Sequence, residues 1–425
     1  MGPPGANRRS ERRSQRMVSV TQVRILRLAA GGDGVGKLPD GRAVFVPRTA
    51  PGDLVEVTGL REHKRFARAR LKQLVESSPD RVDPRCPHYV HDDCGGCQVQ
   101  HMNYEAQLLS RRSFVGDAIR RLAKREVADP FIVPTELIYD YRTKVTLHVG
   151  EDGHRIGLHP YGRPDEVFDL EWCHITVPEL MELWQVIRSL RQFLPPRLLQ
   201  VVLRLDRGGG RHVVLRVGPG EVWSGFESLR RELERSGRPA TIWYQPEGGA
   251  PRAVAGAAEA FPATVFEQVN PPMGDKVRSY AVDQLGDVAD QRVWDLYSGI
   301  GETTVKLIER GALVESVESD RRAVAEAEGR GPVARRHTGR VEDLLRELHK
   351  PDLVIANPPR TGMDERVSTE LHRLAPGRLV YISCDPATLA RDIQRMQRFR
   401  VMTLQSFDLF PQTTHVETVA VLEPA

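Results

Sequence analysis

The run DLYSGIGETT, residues 295–304, decides the fold. It closes an apolar, strand-like stretch and opens a helix-like one, and Asp295, Gly299 and Gly301 fall on the turn between them. Glycines at such a turn let a ligand approach the backbone, and the free amides of the helix N-terminus point at it. The same grammar repeats downstream: VESVESD (314–320), DLVIANPP (352–359), RLVYISC (378–384) and ETVAVLE (417–423) are strand-like runs separated by helical stretches. This alternation predicts an α/β, Rossmann-like doubly wound domain over residues 261–425. Ligands bind such sheets outside the carboxyl ends of the strands, and every unusual residue cluster of the region falls at such an end.

Glu318 ends the second strand about twenty residues after the glycine turn, the position from which a carboxylate accepts hydrogen bonds from ribose hydroxyls. The pair fits a nucleoside-bearing cofactor. A dinucleotide dehydrogenase is disfavoured, because Thr304 stands where the third glycine of G-x-G-x-x-G belongs. The third strand ends in NPPR (357–360) and the fourth in Cys384, whose pKa the following helix is expected to lower toward the reactive thiolate. In SFDLFPQTTHVETVAVL (406–422), His415 and Glu417 enter the last strand. Glu417, flanked by Val416 and Val419, is a candidate base with a pKa raised by burial. The plain alternatives are a buried small hydrophobe for Cys384 and a solvated strand residue for Glu417.

Upstream the grammar changes. Residues 17–76 alternate apolar and polar positions in short runs punctuated by glycines, which predicts a small antiparallel barrel. Within it, REHKRFARARLK (61–72) concentrates six cations against one carboxylate, a basic strand face suited to phosphates. Residues 104–126 carry helical spacing, a candidate to pack on the catalytic domain, and residues 77–260 read as a mixed α+β central domain. The first sixteen residues are basic but lack the apolar stretch of a signal peptide and read as a disordered tail. Across all 425 residues, 40% apolar against 28% charged is a globular balance, and the net charge of +4 is too small to announce nucleic acid alone. With no run of about eighteen apolar residues to span a bilayer, the expected location is the cytoplasm.

The chain has five cysteines, an odd number that argues against a disulfide framework. Cys86, Cys94 and Cys97 form a C-x7-C-x2-C arrangement in which Gly95 and Gly96 let the backbone fold tightly. This is metal-ligand spacing, for zinc or for an iron–sulfur cluster, and both prefer four thiolates. Cys173 is the nearest candidate for the fourth place, with His88, His91 and His101 as competitors.

Taken together, CGGCQVQH (94–101), FEQVNP (266–271), DLYSGIG, YISCDPATLARD (381–392) and FPQTTHVETVAVL (410–422) resemble, in order, the RNA uridine-5-methyltransferases that carry an N-terminal OB-like TRAM domain and an iron–sulfur cluster. The resemblance runs from about residue 17 to the last residue. It implies that Cys86, Cys94, Cys97 and Cys173 hold a [4Fe-4S] cluster, that Gln268, Tyr297, Glu318 and Asn357 line the S-adenosylmethionine site, that Cys384 is the nucleophile and that Glu417 is the base. It also implies an RNA substrate, with large-subunit ribosomal RNA ahead of transfer RNA, and a monomeric enzyme. The chain departs from the family pattern at Asn357, where an acid is usual, at Ser298 and Glu302, and in AEAEGRGPVARR (325–336). Three competitors fare worse. A radical methylthiotransferase needs C-x3-C-x2-C, an RNA cytosine-5-methyltransferase needs a Pro-Cys where Pro359-Arg360 stands, and a non-enzymatic RNA-binding factor has no use for Cys384 with Glu417.

Overall fold

The computed structural model describes residues 21–256, 267–329 and 334–425. The basic tail read over residues 1–16 and Phe266 of FEQVNP lie outside them. The chain divides into two compact units.

The first unit is a closed barrel of β1 (Thr21–Leu28), β2 (Gly34–Lys37), β3 (Ala43–Val46), β4 (Leu54–Glu62) and β5 (Phe66–Glu76) in the order β1-β2-β3-β5-β4. Strand alternation sends Val23, Ile25, Val44, Val46, Val55, Val57, Ala67 and Ala69 into its core. Gly36 is required where β1 and β2 cross, because a Cβ there would lie 2.2 Å from Val23 and 2.7 Å from the carbonyl of Arg24. The expectation of an antiparallel barrel needs one correction: closure runs through β3 and β5, which pair in parallel. The basic segment behaves as its alternation demands, with Ala67 and Ala69 buried and Arg68, Arg70 and Lys72 exposed.

The second unit contains two sheets. It opens with the short helix α1 (Pro87–His91), then α2 (Tyr104–Ala118), capped by the Asn103 side chain accepting from the Ala106 amide at 2.8 Å. A π-helical turn, Ile119–Ala123, extends α2 and ends at Lys124 in the left-handed region, two residues short of the helix read from the sequence. After β6 (Phe131–Val133) comes a mixed sheet of β7 (Lys144–Val149), β8 (Ile156–Leu158), β9 (Phe168–Asp169), β10 (Leu198–Leu205), β11 (Arg211–Val217), β12 (Thr241–Pro246) and β13 (Arg252–Ala255). Helices α3 (Pro178–Ser189) and α4 (Phe226–Arg235) cover one face of it, burying Trp184, Leu229 and Leu233 against the strands.

Helix α5 (Pro271–Asp283) leads into the catalytic sheet. Its parallel part is built by β14 (Arg292–Leu296), α6 (Glu302–Glu309), β15 (Leu313–Glu318), α7 (Arg321–Gly329), β16 (Arg335–Thr338), α8 (Val341–Leu344), β17 (Leu353–Ala356), α9 (Glu365–Leu374), β18 (Arg378–Ser383) and α10 (Pro386–Arg395). The antiparallel β19 (Phe399–Phe407) and β20 (Glu417–Pro424) complete it, in the order β16-β15-β14-β17-β18-β20-β19-β6. Strand order reverses at β14, so a crevice opens at its carboxyl end, where the glycine turn lies. β6 adds to the outer edge through β19, and Ile119 and Ala123 enter the core beneath α10.

Candidate active site

A cavity of about 890 Å³ occupies that crevice. Gln268, Tyr297, Glu318, Asn357, Cys384 and Glu417 all line it, although they come from six separate segments of the chain.

The wall from β14 is formed by the glycine turn. Tyr297, Gly299 and Gly301 all have positive φ (61°, 55° and 79°), so the chain doubles back and presents backbone amides to the pocket. One of them, from Gly299, donates to Glu318 Oε2 at 2.9 Å, while the Asp320 amide donates to Oε1 at 2.8 Å. The Glu318 carboxylate is therefore oriented before any ligand arrives. Beneath the turn, Asp295 accepts from Thr304 Oγ1 at 2.6 Å, and burial pushes its pKa up to about 7. The Gln268 and Asn357 side chains make no hydrogen bond among the described residues and face the cavity. Gln268 lies against Gly274, where a Cβ would sit 3.1 Å from its side chain.

The opposite end carries Cys384 and Glu417. β18 and β20 run antiparallel with Ser383 opposite Thr418, so the next step along the ladder sets Cys384 against Glu417. Asp385, the N-cap of α10, accepts from the Thr388 amide at 2.8 Å and fixes the turn carrying Cys384. Glu417 is buried, and its Oε2 has no hydrogen-bond partner among the described residues. Burial raises its pKa to about 7, and Arg360 opposes the rise. Cys384 departs from expectation. Its thiol is pushed up to about 11, first by burial and then by the charge of Glu417, with Arg360 again opposing; the α10 terminus does not offset burial. Arg360 itself, inside NPPR, was not singled out in the sequence; its signal is that it is the one cation of that motif.

His415, the nearest alternative base, does not line the cavity; its ring packs edge-on against Phe410 at 5.9 Å. Burial, with Arg360 and Arg142, lowers its pKa to about 4, so it is neutral and a poor proton acceptor at physiological pH.

The four remaining cysteines line a second cavity, of about 320 Å³. Cys86, Cys94 and Cys97 are buried and Cys173 is half-buried, and none is in a disulfide. Of the competing histidines only His88 reaches this cavity, and both its ring nitrogens are engaged, Nδ1 with Asp92 at 2.6 Å and Nε2 with the Glu171 amide at 3.0 Å. Burial, together with the charge of the neighbouring thiols, pushes the Cys97 thiol far up. Among the described residues no group of three or more His, Cys, Asp or Glu is placed to hold a metal ion. Arg142 and Val269 line both cavities.

Comparison with known proteins bears on this arrangement. Residues 331–424 match the model of tRNA (uracil-5-)-methyltransferases, and residues 15–72 match the TRAM domain. A Nostoc protein described as an uncharacterized RNA methyltransferase is 32% identical over 94% of this chain and 95% of its own. The chain belongs to the RNA uracil-5-methyltransferase family. Members of this family are S-adenosylmethionine-dependent enzymes. The 23S rRNA (uracil(1939)-C(5))-methyltransferase RlmD of Shewanella halifaxensis is 29% identical over 96% of this chain and 97% of its own. The fold is shared with the tRNA (uracil-54, C5)-methyltransferase of Pyrococcus abyssi, solved with S-adenosyl-L-homocysteine, at a TM-score of 0.73 and 24% identity over 94% of this chain and 99% of that one.

Proposed function

We propose that the protein methylates C5 of a uridine in RNA, through a covalent bond between Cys384 and C6 of the base. The observation that carries this reading is the placement of Cys384 against Glu417 at one end of a pocket whose other end is lined by Gln268, Tyr297, Glu318 and Asn357. Gln268, Tyr297, Glu318 and Asn357 would hold S-adenosylmethionine, which supplies the methyl group as a sulfonium. Uracil C5 is a poor nucleophile until something adds at C6. Bond formation from Cys384 Sγ to C6 moves an electron pair onto C5, which then accepts the methyl group. Glu417 takes the C5 proton, the electron pair returns to the ring, and the Sγ–C6 bond breaks to release thiolate. A carboxylate with a pKa near 7 is suited to receive that proton. The target base must leave its stack to enter the pocket.

Ribosomal RNA is the proposed substrate, because full-length relatives include 23S enzymes; the tRNA enzyme of the same fold makes transfer RNA the alternative. The decisive test uses RNA carrying 5-fluorouridine at the target. Fluorine at C5 cannot leave as a proton, so the wild-type enzyme should form a stable adduct on Cys384, whereas Cys384→Ala should form none, turn over no uridine and still bind S-adenosylhomocysteine. Full activity of the alanine variant would exclude the mechanism.

For the second cavity we propose a [4Fe-4S] cluster held by Cys86, Cys94, Cys97 and Cys173. The fit rests on four thiols around one volume and on the engagement of both His88 nitrogens. Anaerobically purified protein should contain about four iron and four sulfide per chain, and Cys97→Ala should lose both. Stoichiometric zinc without iron would overturn the assignment.

A further inference from the structure

The hairpin turn between β10 and β11, DRGGG (206–210), reaches the outside of the cofactor end of the pocket and places one guanidinium among three carboxylates from three segments. Arg207 contacts Glu267 Oε1 at 3.0 Å, both oxygens of Asp275 at 3.2 Å and Glu302 Oε1 at 2.5 Å. Two of the three acids are shielded, with side chains 10% exposed for Glu267 and 18% for Glu302, against 41% for Arg207 itself. Pairs of this kind are screened less than surface pairs.

Each partner borders the pocket or supports its wall. Glu267 immediately precedes Gln268, and both line the cavity. Glu302 also lines it and is the first residue of α6, directly behind the glycine turn. Asp275 lies on α5, one residue beyond Gly274, against which Gln268 packs. Two further arginines complete the network: Arg204 binds the second oxygen of Glu267, and Arg278 bridges Asp275 at 2.6 Å and Glu302 at 3.2 Å. The turn is itself rigid. Asp206 Oδ1 accepts from the amides of Gly208 and Gly210 at 2.8 Å each, its Oδ2 contacts His212 Nε2 at 2.9 Å, and Gly209 adopts φ +81°. Arg207 is thus presented from a fixed apex.

We propose that Arg207 is a positioning residue for cofactor binding: from the hairpin it ties the Glu267–Gln268 segment to the first turn of α6, setting two walls of the cofactor end of the pocket at their working separation. The inference rests on reading this end as the S-adenosylmethionine site. It does not give Arg207 any contact with the reacting atoms, so its loss should act on binding and spare the chemical step.

The test is calorimetric titration of the full-length protein with S-adenosylhomocysteine, paired with steady-state kinetics on target RNA. Arg207→Ala should weaken S-adenosylhomocysteine binding and raise KM for the methyl donor by about tenfold, with kcat at saturation within about twofold of wild type. A merely structural loss would lower the active fraction, and therefore kcat, at unchanged KM. If the alanine variant does not fold, Arg207→Gln, which keeps length without charge, carries the same expectation. A neutral variant that binds S-adenosylhomocysteine as tightly as wild type overturns the proposal alone. Wild-type protein that does not bind S-adenosylhomocysteine overturns the reading of the pocket and the proposal with it.

Discussion

Glu417 and Cys384 sit in one electrostatic environment, and the proposed mechanism needs both of them deprotonated. The thiol must ionise to add to C6, while the carboxylate must be free to accept the C5 proton. Burial raises both, to about 11 and about 7, and Arg360 lowers both. Turnover should therefore rise with pH through an ionisation near 7, and pH–rate measurements on wild type and Glu417→Gln should show that limb in the first only. The Gln variant can still add Cys384 to C6 and still accept methyl at C5, so methylated RNA should remain attached to the enzyme and migrate as a slow band on a denaturing gel. Near-normal release of product would require another base. The stability consequence has a definite sign. A carboxyl raised from 4.5 to about 7 on folding contributes stability that is complete below pH 4.5 and is lost as pH rises through 7. Glu417→Gln should therefore gain on the order of 3 kcal/mol over wild type at pH 8 relative to pH 4, readable as a difference in urea midpoints. The placement of these two residues was legible in the sequence because both end or begin strand-like runs at the ligand-binding edge. The thiol's pKa was not, since the helix effect is local and visible whereas burial depends on what packs above.

At the level of elements, the catalytic sheet is held to the segment before it by a buried ionic contact. Arg111 of α2 and Asp408, just beyond β19, are 1% and 0% exposed; Nη1 donates to Oδ1 at 2.5 Å and Nη2 to Oδ2 at 3.1 Å, and Tyr104 donates to the same carboxylate at 2.7 Å. Asp408 opens the loop that leads into Glu417, and Gln107 on the same helix exchanges two hydrogen bonds with Gln412 of that loop. Removing one partner leaves an uncompensated buried charge, so Asp408→Ala should cost about 3–5 kcal/mol in chemical denaturation. The double variant Arg111→Met with Asp408→Leu should recover much of it, whereas additive losses would mean that the two residues act separately. Periodicity over 104–126 marked a helix that could pack on this sheet, but not the pairing of Arg111 with Asp408. The β-α alternation of the last third made its parallel strands readable, but the pairing of β6 with β19, distant in sequence, leaves no local mark.

At the scale of the whole molecule, the described residues form three sheets of different construction, and the motifs at their edges were easier to read than their assembly. The cysteine spacing pointed to a metal centre without choosing one; the engaged nitrogens of His88 depend on Asp92 and on Glu171, 83 residues away, which no spacing rule connects. The barrel was legible because alternation in REHKRFARARLK sends alanines inward and cations outward, but which of those cations are free to bind RNA depends on tertiary neighbours. Arg68 is paired with Asp33 and Lys72 with Glu56, whereas Arg61, Arg65 and Arg70 are exposed and make no ion pair or hydrogen bond through their side chains among the described residues. With Lys64, likewise exposed and without such a partner among the described residues, these are the available phosphate contacts of the segment. Each contact to single-stranded RNA contributes about 0.7 to the slope of log affinity against log salt. Replacing Arg61, Arg65 and Arg70 by alanine should therefore reduce that slope by about 2 and weaken binding uniformly across RNA sequences, while S-adenosylhomocysteine affinity stays unchanged. The same triple change should leave the unfolding midpoint of the barrel nearly unaltered, because no buried group loses a partner. A salt slope equal to that of wild type would show that the barrel does not contact phosphate through this face. A loss confined to the target sequence would assign the three arginines to base recognition instead.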